Sequence, residues 1–337
     1  MTSTRLLPAL AVLGLFALVG CRQDGPTPSG PTTPPAPLPS INAPDFRADS
    51  AYEHIATQVA FGPRVPNTPP HDSCLAWMVG QLRPMADTVI LQRADLTAFD
   101  GTVLRSTNVI ASYNPERQKR VLLCAHWDTR PFADQARDDK QEPITGANDG
   151  ASGVGVLLEI ARLLHHHPVE VGVDIVLFDA EDYGQPAFSD LPYVPDSYCL
   201  GSQHWAQTPH VRGYDAQFGI LLDMVGARGA IFTKEAISRY FASAYVDQVW
   251  ATADRLGFGT SFVNQNTGEV VDDHLYINQI IGIPTLDIIQ HDPSTDHGFG
   301  WYWHTHDDDM DVIDQATLEA VGQTVTQVVY EFDAGRF

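Results

Sequence analysis

The chain has 337 residues, of which 42 are Asp or Glu and 20 are Lys or Arg, so its formal net charge is −22. A chain this acidic is a poor candidate for binding a nucleic-acid backbone, which requires Lys and Arg, or for binding anionic lipid through a basic face. Because 44% of the residues are hydrophobic and 18% are charged, the composition indicates a globular protein with a core. We therefore expect a solvated acidic surface and no nucleic-acid partner.

The first 21 residues have the features of a bacterial lipoprotein signal. Arg5 precedes an apolar run from Leu6 to Gly20, which is shorter than the roughly 20 residues of a bilayer span and suits a secretory signal. The run ends in LVGC, which resembles a lipobox with Cys21 as the lipidated residue. An ordinary signal peptide with an incidental cysteine is the alternative. We expect an exported bacterial lipoprotein, anchored to a membrane through Cys21 on the periplasmic or cell-surface side.

A proline-rich segment separates this signal from the rest of the chain. Residues 22–44 contain eight of the chain's 24 prolines, a composition that favours an extended tether over a packed core. We expect one folded domain over residues 45–337. That domain contains Cys74, Cys124 and Cys199, and their spacing permits one disulfide with a spare thiol, or none.

The predicted domain alternates helices and strands. In chain order, the predicted elements are helices 48–62 and 72–84, two strands within 88–113, a strand at 120–128, a helix at 151–165, strands at 173–178 and 218–222, a helix at 234–256, a strand at 284–289 and a helix at 315–333. Strands separated by helices are typical of an α/β domain. We expect a mixed, mostly parallel central sheet with helices on both faces.

Ionisable residues follow three of the predicted buried strands, and others lie in glycine-flanked loops. In open α/β sheets, ligands bind at the carboxyl ends of the strands, so these side chains are expected at one edge. Mixed His and carboxylate ligands suit Zn²⁺. The candidate metal ligands are His126, Asp128, Asp149, Glu181, Asp182, Asp223 and His304.

A set of ordered motifs runs from about Val59 to the C-terminal helix. The motifs are HWD, GANDGASGVGVLLEIARLL, DIVLFDAEDYG, SYCLGSQHWA, LLDMVG, VDDHLYINQIIGIPTLDII and WHTHDDDMDVID. This set resembles the zinc-dependent, animal-type glutaminyl cyclases, which share the fold of the di-zinc aminopeptidases. The resemblance implies an enzyme that converts the N-terminal Gln of peptides and proteins to pyroglutamate and releases ammonia.

The resemblance also assigns roles to residues. One zinc ion would be held by Asp149, Asp182 and His304, where Asp182 departs from the Glu-Glu pair usual in the family. Glu181 would carry the proton, although ligation by Glu181 itself is the alternative. The remaining roles implied are catalytic for Asp223 and Asp273, and substrate-binding for Trp303 and Asp272.

His126 and Asp128 leave the metal count open. In the di-zinc aminopeptidases, the matching His and an Asp like Asp223 bind a second metal, whereas the cyclases keep this His with one zinc. These two residues are therefore assigned to a second metal or to a structural role. Two further hypotheses stay open: a di-zinc aminopeptidase that removes N-terminal residues, and a non-catalytic surface lipoprotein.

Two other polar runs are assigned to helix ends. His165, His166 and His167 are predicted to end a helix, where cations are favourable. The acidic run 307–309 is predicted to begin the last helix, with Asp314 as its N-cap.

Overall fold

The computed structural model describes residues 41–337, so the predicted signal peptide, Cys21 and most of the predicted tether lie outside the described residues. In the described part, no helix combines the length and apolar character that crossing a bilayer requires. The first described residues lie along the C-terminal helix. Gln327 Nε2 donates to the carbonyl of Ile41 at 2.7 Å, and the Ala43 N–H donates to Gln327 at 3.2 Å. These bonds attach the end of the predicted tether to the folded body.

The helices and strands alternate along the chain as predicted. The strands are β1 (Thr88–Thr97), β2 (Val103–Tyr113), β3 (Arg120–His126), β4 (Gly172–Phe178), β5 (Phe218–Asp223), β6 (Phe232–Lys234), β7 (Phe262–Asn266) and β8 (Thr285–Ile289). The helices are α1 (Ala48–Ala60), α2 (Pro69–Leu82), α3 (Ala151–His166), α4 (Leu200–Gln207), α5 (Ala236–Phe241), α6 (Ser243–Arg255), α7 (Asp273–Tyr276), which continues into a π-helical turn (Ile277–Ile281), and α8 (Gln315–Asp333).

Six strands form a central sheet in the order β1-β2-β4-β3-β5-β8. β1 and β2 pair antiparallel with their neighbours, whereas β4, β3, β5 and β8 run parallel. Strands β6 and β7 form a separate parallel pair. The prediction of a mixed, mostly parallel sheet is therefore confirmed.

Alternate residues of β3 pack into two different layers. Val121, Leu123 and Ala125 belong to the cluster that includes the buried side chains of α1, α3 and α8. Leu122 and Cys124 belong to a second cluster with Trp205 of α4. A strand whose two faces are both apolar is buried on both sides, so helices cover both faces of the sheet as predicted.

The single helix predicted over 234–256 is wrong. Lys234 is instead the last residue of β6, paired with β7, and the Glu235 side chain accepts the N–H groups of Ile237 and Ser238 to begin α5. Ala242 leaves helical geometry, with φ −129° and ψ 28°, and separates α5 from α6. The pairing of β6 with β7 and the Glu235 cap of α5 thus prevent the continuous helix that the periodicity of residues 234–256 predicted.

The parallel strands end at one edge of the sheet. β3 ends at His126, β5 ends at Asp223, and β4 is followed directly by residues 179–182. Because parallel strands present their carboxyl ends together, three segments that are distant in sequence meet at this edge.

Candidate active site

Asp149, Asp182 and His304 form a buried cluster at this edge. Nε2 of His304 lies 3.6 Å from Oδ2 of Asp149 and 3.5 Å from Oδ1 of Asp182. One ligand atom from each of the three residues lies within 4.8 Å of the others. Asp182 Oδ2 is buried without a hydrogen-bond partner. The three residues assigned to zinc by the motifs are therefore adjacent, and Asp182, not Glu181, belongs to this cluster.

A second cluster shares Asp149 with the first. His126 Nε2 lies 3.1 Å from Oδ1 of Asp149 and 3.2 Å from Oδ1 of Asp223, and these three residues also offer ligand atoms within 4.8 Å of one another. Asp149 presents one oxygen to each cluster. Its carboxylate can thus join two neighbouring cation positions, so the five residues match the ligand types of a two-metal site.

Gly150 permits the close approach of Asp149 to His126. A Cβ atom at Gly150 would lie 2.7 Å from the His126 ring, and its φ of +87° is one that glycine adopts readily. Other positions at the site also have left-handed backbone: Ala180, Met224 and His304 have φ values of 56°, 49° and 55°. Such backbone is costly for residues other than glycine and concentrates at functional sites.

Asp128 lies outside both clusters and supports the turn after β4. Its carboxylate oxygens accept the N–H groups of Glu181 at 3.1 Å and of Asp182 at 3.2 Å. Asp128 is fully buried, and its Oδ1 lies 3.5 Å from Nδ1 of His126. Of the two predicted roles for Asp128, the geometry favours the structural one.

Glu181 lines a small cavity together with residues of both clusters. Its Oε1 accepts a hydrogen bond from Cys199 Sγ at 3.1 Å, and its Oε2 lies 4.0 Å from Nδ1 of His126. Burial raises the pKa of Glu181 well above its usual range, and the nearby carboxylates of Asp182 and Asp272 raise it further. A carboxyl group in this environment can hold a proton near neutral pH.

The cavity has a volume of about 230 Å³, and both apolar and acidic side chains line it. Trp303 lines it and stacks on the His304 ring at a centroid separation of 3.7 Å. Tyr198 and Phe299 also line it, and the sequence motifs gave no reason to select either of them. The lining residues are Asp149, Glu181, Asp182, Tyr198, Asp223, Met224, Val270, Val271, Asp272, Ile289, Phe299, Trp303 and His304.

Asp272, not Asp273, is the acid of the DDH motif that faces this cavity. One carboxylate oxygen of Asp272 lies within 4.8 Å of ligand atoms of Glu181 and Cys199. Asp273 is the first residue of α7 and is fully buried. The catalytic role expected of Asp273 therefore does not fit its position. Asp223 fits its assignment, since it lines the cavity and burial raises its pKa to about 7.

Arg130 and Asp134 support the first cluster, and sequence reasoning missed both. Asp134 Oδ1 lies 3.1 Å from Nδ1 of His304. Arg130 donates to both oxygens of Asp134 at 2.8 and 2.9 Å and to Asp182 Oδ1 at 3.3 Å. Burial by itself would raise the pKa of Asp134. The hydrogen bonds with His304 and Arg130 outweigh burial and lower this pKa below its usual range. Asp134 is thus an ionised carboxylate that orients a candidate ligand.

The prediction that the acidic run 307–309 begins the last helix is wrong. α8 begins at Gln315 with Asp314 at its N-cap position, as predicted, although the Asp314 side chain makes no capping hydrogen bond. Asp308 is fully buried instead, and its two oxygens accept the N–H groups of Asn148 and Asp149. Asp308 accepts hydrogen bonds from the backbone of a loop that is distant in sequence, and such an interaction leaves no local sequence pattern.

The histidine run lies outside the site, whereas one of the three cysteines, Cys199, contacts Glu181 within it. His165, His166 and His167 are exposed at the C-terminal end of α3, as predicted. Cys74, Cys124 and Cys199 are buried free thiols. The spacing of these three cysteines permits one disulfide or none, and the structure has none among them.

The chain is similar to one family model and to several solved structures. The model of peptidase family M28 matches residues 108–329. A glutaminyl cyclase from Bacteroides thetaiotaomicron, solved bound to N-acetylhistamine, is 51% identical, with 86% of this chain and 99% of that chain covered and a TM-score of 0.84. A Zn-dependent exopeptidase from Parabacteroides distasonis is 50% identical, with the same coverage and a TM-score of 0.85.

One curated relative is more distant and longer. Glutaminyl-peptide cyclotransferase of Bothrops jararaca is 25% identical over 67% of this chain. The chain spans 65% of the length of that relative. Because the model of peptidase family M28 matches residues 108–329, more than half of the chain, the chain belongs to peptidase family M28.

Proposed function

We propose that this protein is a glutaminyl-peptide cyclotransferase, which converts the N-terminal Gln of peptides and proteins to pyroglutamate and releases ammonia. The observation that carries the proposal is the buried Glu181 carboxyl on the wall of a small cavity, beside the cluster of Asp149, Asp182 and His304. The 51% identity with a bacterial glutaminyl cyclase over nearly all of that chain supports it.

We propose zinc as the cofactor, with one ion in the first cluster. An imidazole nitrogen and two carboxylates are donors that zinc accepts in catalytic sites. Asp182 Oδ2 is buried without a hydrogen-bond partner, as is suitable for an atom that binds a metal. When bound there, zinc would act as a Lewis acid on the substrate's γ-carbonyl and stabilise the developing oxyanion.

Glu181 moves the proton in the proposed reaction. The substrate's α-amine nitrogen forms a bond to its own side-chain amide carbon, and the bond from that carbon to the amide nitrogen breaks. Glu181 takes the proton that the attacking amine loses and delivers it to the leaving nitrogen, which departs as ammonia. The environment that raises its pKa suits both halves of this transfer.

The other cavity residues hold the substrate. Because the reaction is intramolecular, fixing one rotamer of the glutamine supplies much of the rate enhancement. Asp272 and Asp223 are acids that line the cavity, and we assign to them the orientation of the α-amine. We assign to Asp272 the role that the motifs assigned to Asp273. Trp303 closes the cavity beside His304 and can offer its indole N–H to the substrate.

A peptide assay tests the proposal. The purified protein is incubated with a peptide that begins with Gln and with a matched peptide that begins with Ala. Ammonia release and the corresponding mass loss from the Gln peptide alone support cyclisation. Removal of the first residue from either peptide contradicts it.

A di-zinc aminopeptidase is the second candidate, favoured by the cluster of His126, Asp149 and Asp223. Metal analysis on the same active sample separates the two candidates. Two zinc equivalents that both disappear in Asp149→Ala, together with release of the first residue, would favour the aminopeptidase. A protein with neither activity would favour the non-catalytic hypothesis.

We also propose that the mature protein is a lipoprotein attached to a bacterial membrane through Cys21. The support is the apolar run that ends in LVGC, followed by the proline-rich segment. In a bacterial host, the unchanged chain should incorporate labelled fatty acid and sediment with membranes, and Cys21→Ser should lose the label. Equal labelling of both chains would contradict the anchor.

A further inference from the structure

A third group of ionisable side chains includes Asp272 and extends from it to residues that the proposed reaction does not use. It consists of Asp272, His274, Asp287 and Glu235, which are 4%, 0%, 1% and 1% exposed. They come from the start and the first turn of α7, the middle of β8 and the start of α5. Because all four ionisable side chains are buried close together, their charges must be neutralised by one another or by a bound ion.

His274 is oriented like a metal ligand. Its Nε2 lies 3.1 Å from Oε1 of Glu235, and Glu235 also accepts the N–H groups of Ile237 and Ser238. Because a carboxylate that already accepts two backbone N–H groups acts as an acceptor, we infer that Glu235 also accepts from the imidazole. Nε2 of His274 is then the donor. This bond directs Nδ1, which has no hydrogen-bond partner, towards Asp287 Oδ2 at 3.9 Å.

The facing carboxylates also lack partners. Both oxygens of Asp287 and Oδ2 of Asp272 are buried without a hydrogen-bond donor. Oδ1 of Asp272 accepts the Asp273 N–H at 2.5 Å. Burying an ionised carboxylate without a partner is expensive, so a proton or a cation must neutralise this group. A proton can satisfy one pair of oxygens, whereas a cation can satisfy both carboxylates and Nδ1 of His274.

We propose that Asp272, His274 and Asp287 bind a divalent transition-metal cation such as Zn²⁺, at a site separate from the two clusters that share Asp149. One ligand atom from each of these residues lies within 4.8 Å of the others. The ligands are one imidazole and two carboxylates, and Glu235 holds the far side of the imidazole as in carboxylate–histidine–zinc arrangements. Asp272 also lines the cavity, which gives an ion a route from solvent.

The bound cation would join two elements of the cavity wall. Asp287 is fixed in the central sheet, where it belongs to β8. Asp272 ends the segment that brings Val270 and Val271 to the cavity. A cation between them ties this segment to the sheet and fixes the Asp272 carboxylate beside Glu181.

Crystals of the unchanged protein, soaked in ZnCl₂, test the proposal directly. Anomalous diffraction at the zinc edge should give a peak among Asp272, His274 and Asp287, at bond lengths of about 2.0–2.2 Å. A peak only at the Asp149 clusters, with Asp272 and Asp287 in direct hydrogen-bond contact, would overturn the proposal in favour of a shared proton.

A variant extends the test to solution. After equilibration with ZnCl₂ and removal of loosely bound metal, Asp287→Asn should contain one zinc equivalent less than the unchanged protein. Asp292→Asn, which changes an acid on a loop near the surface, should not. Equal zinc content in a folded Asp287→Asn would overturn the proposal. Cyclisation of the Gln peptide by either protein is scored separately, so the proposed function can stand if this site fails.

Discussion

Asp308 holds the backbone of Asp149 in place. Its Oδ2 accepts the Asp149 N–H at 3.0 Å, and its Oδ1 accepts the adjacent Asn148 N–H at 2.8 Å. Asp149 presents one oxygen to His126 and the other to His304. The position of the residue common to both clusters therefore depends on a carboxylate that belongs to neither.

We expect Asp308→Ala to weaken zinc binding by about 10- to 100-fold, the usual effect of removing a partner that orients a ligand. The reason is that two buried N–H groups lose their acceptor and the Asp149 loop is no longer fixed. Zinc affinity is measured by competition with a chelating dye. Asp307→Ala, a change to the exposed neighbour, is the control and should bind zinc like the unchanged protein. Equal affinity in the two variants would contradict the argument.

The central sheet and most of the candidate ligands could be predicted from the sequence because both leave local patterns. Apolar runs mark β3, β4 and β5, and the ionisable residues that follow them are brought together by the parallel arrangement. That rule places His126, Glu181 and Asp223 at one edge without further information.

The residues that support the ligands could not be predicted, because their partners are distant in sequence. Asp134 is 170 positions from His304, and Asp308 is 159 positions from Asp149. In the sequence, both resemble ordinary acids of polar loops. The choice between Asp272 and Asp273 depends on where α7 begins relative to the cavity, and the pattern of an Asp-Asp pair does not contain that information.

Asp134→Asn should reduce zinc affinity by about 10-fold or more, since Asp134 orients the His304 ring and is itself held by Arg130. An amide can still contact the imidazole but brings no negative charge. Isothermal titration with zinc measures the change. Asp138→Asn, on the exposed part of the same loop, provides the comparison. Loss of affinity in both variants would point to a general effect of charge on the loop.

Trp303→Ala should raise KM for a Gln peptide by about 10-fold, because the cavity loses the aromatic face that stacks on His304. The zinc content should stay unchanged, since the ligands themselves are intact. Trp301 is two residues away and 63% exposed, so Trp301→Ala should leave KM unchanged. Steady-state kinetics with both variants decide whether the cavity wall contributes to substrate binding as proposed.

Glu181→Gln should lower kcat by about 100- to 10,000-fold, the contribution usual for a general acid or base, with little change in KM. The amide keeps the volume and the contact with Cys199 but does not carry the proton. Zinc content must equal that of the unchanged protein for this interpretation. Glu142→Gln, an exposed change, is the control. A fall in zinc content that parallels the fall in kcat would instead make Glu181 a ligand.

Stability depends on a different buried acid, at the opposite end of β4 from Glu181. Asp174 accepts hydrogen bonds from Arg120 Nε at 2.7 Å, Ser112 Oγ at 2.6 Å and Tyr214 OH at 2.8 Å. The Arg120–Asp174 pair is almost completely buried, with side-chain exposures of 9% and 0%. Removing one member of such a pair leaves an uncompensated charge in the core.

Asp174→Ala should therefore lower the free energy of unfolding by about 3–5 kcal/mol. Glu170→Ala breaks an exposed ion pair, in which the side chain of Glu170 is 85% exposed and that of Arg117 is 56% exposed. This variant should lower the free energy of unfolding by at most about 1 kcal/mol. Urea unfolding followed by circular dichroism measures both. The folded fraction of Asp174→Ala should bind zinc normally, because Asp174 contacts none of the residues in the two Asp149 clusters. Equal losses of stability in the two variants would mean that burial of the Arg120–Asp174 pair does not set its strength.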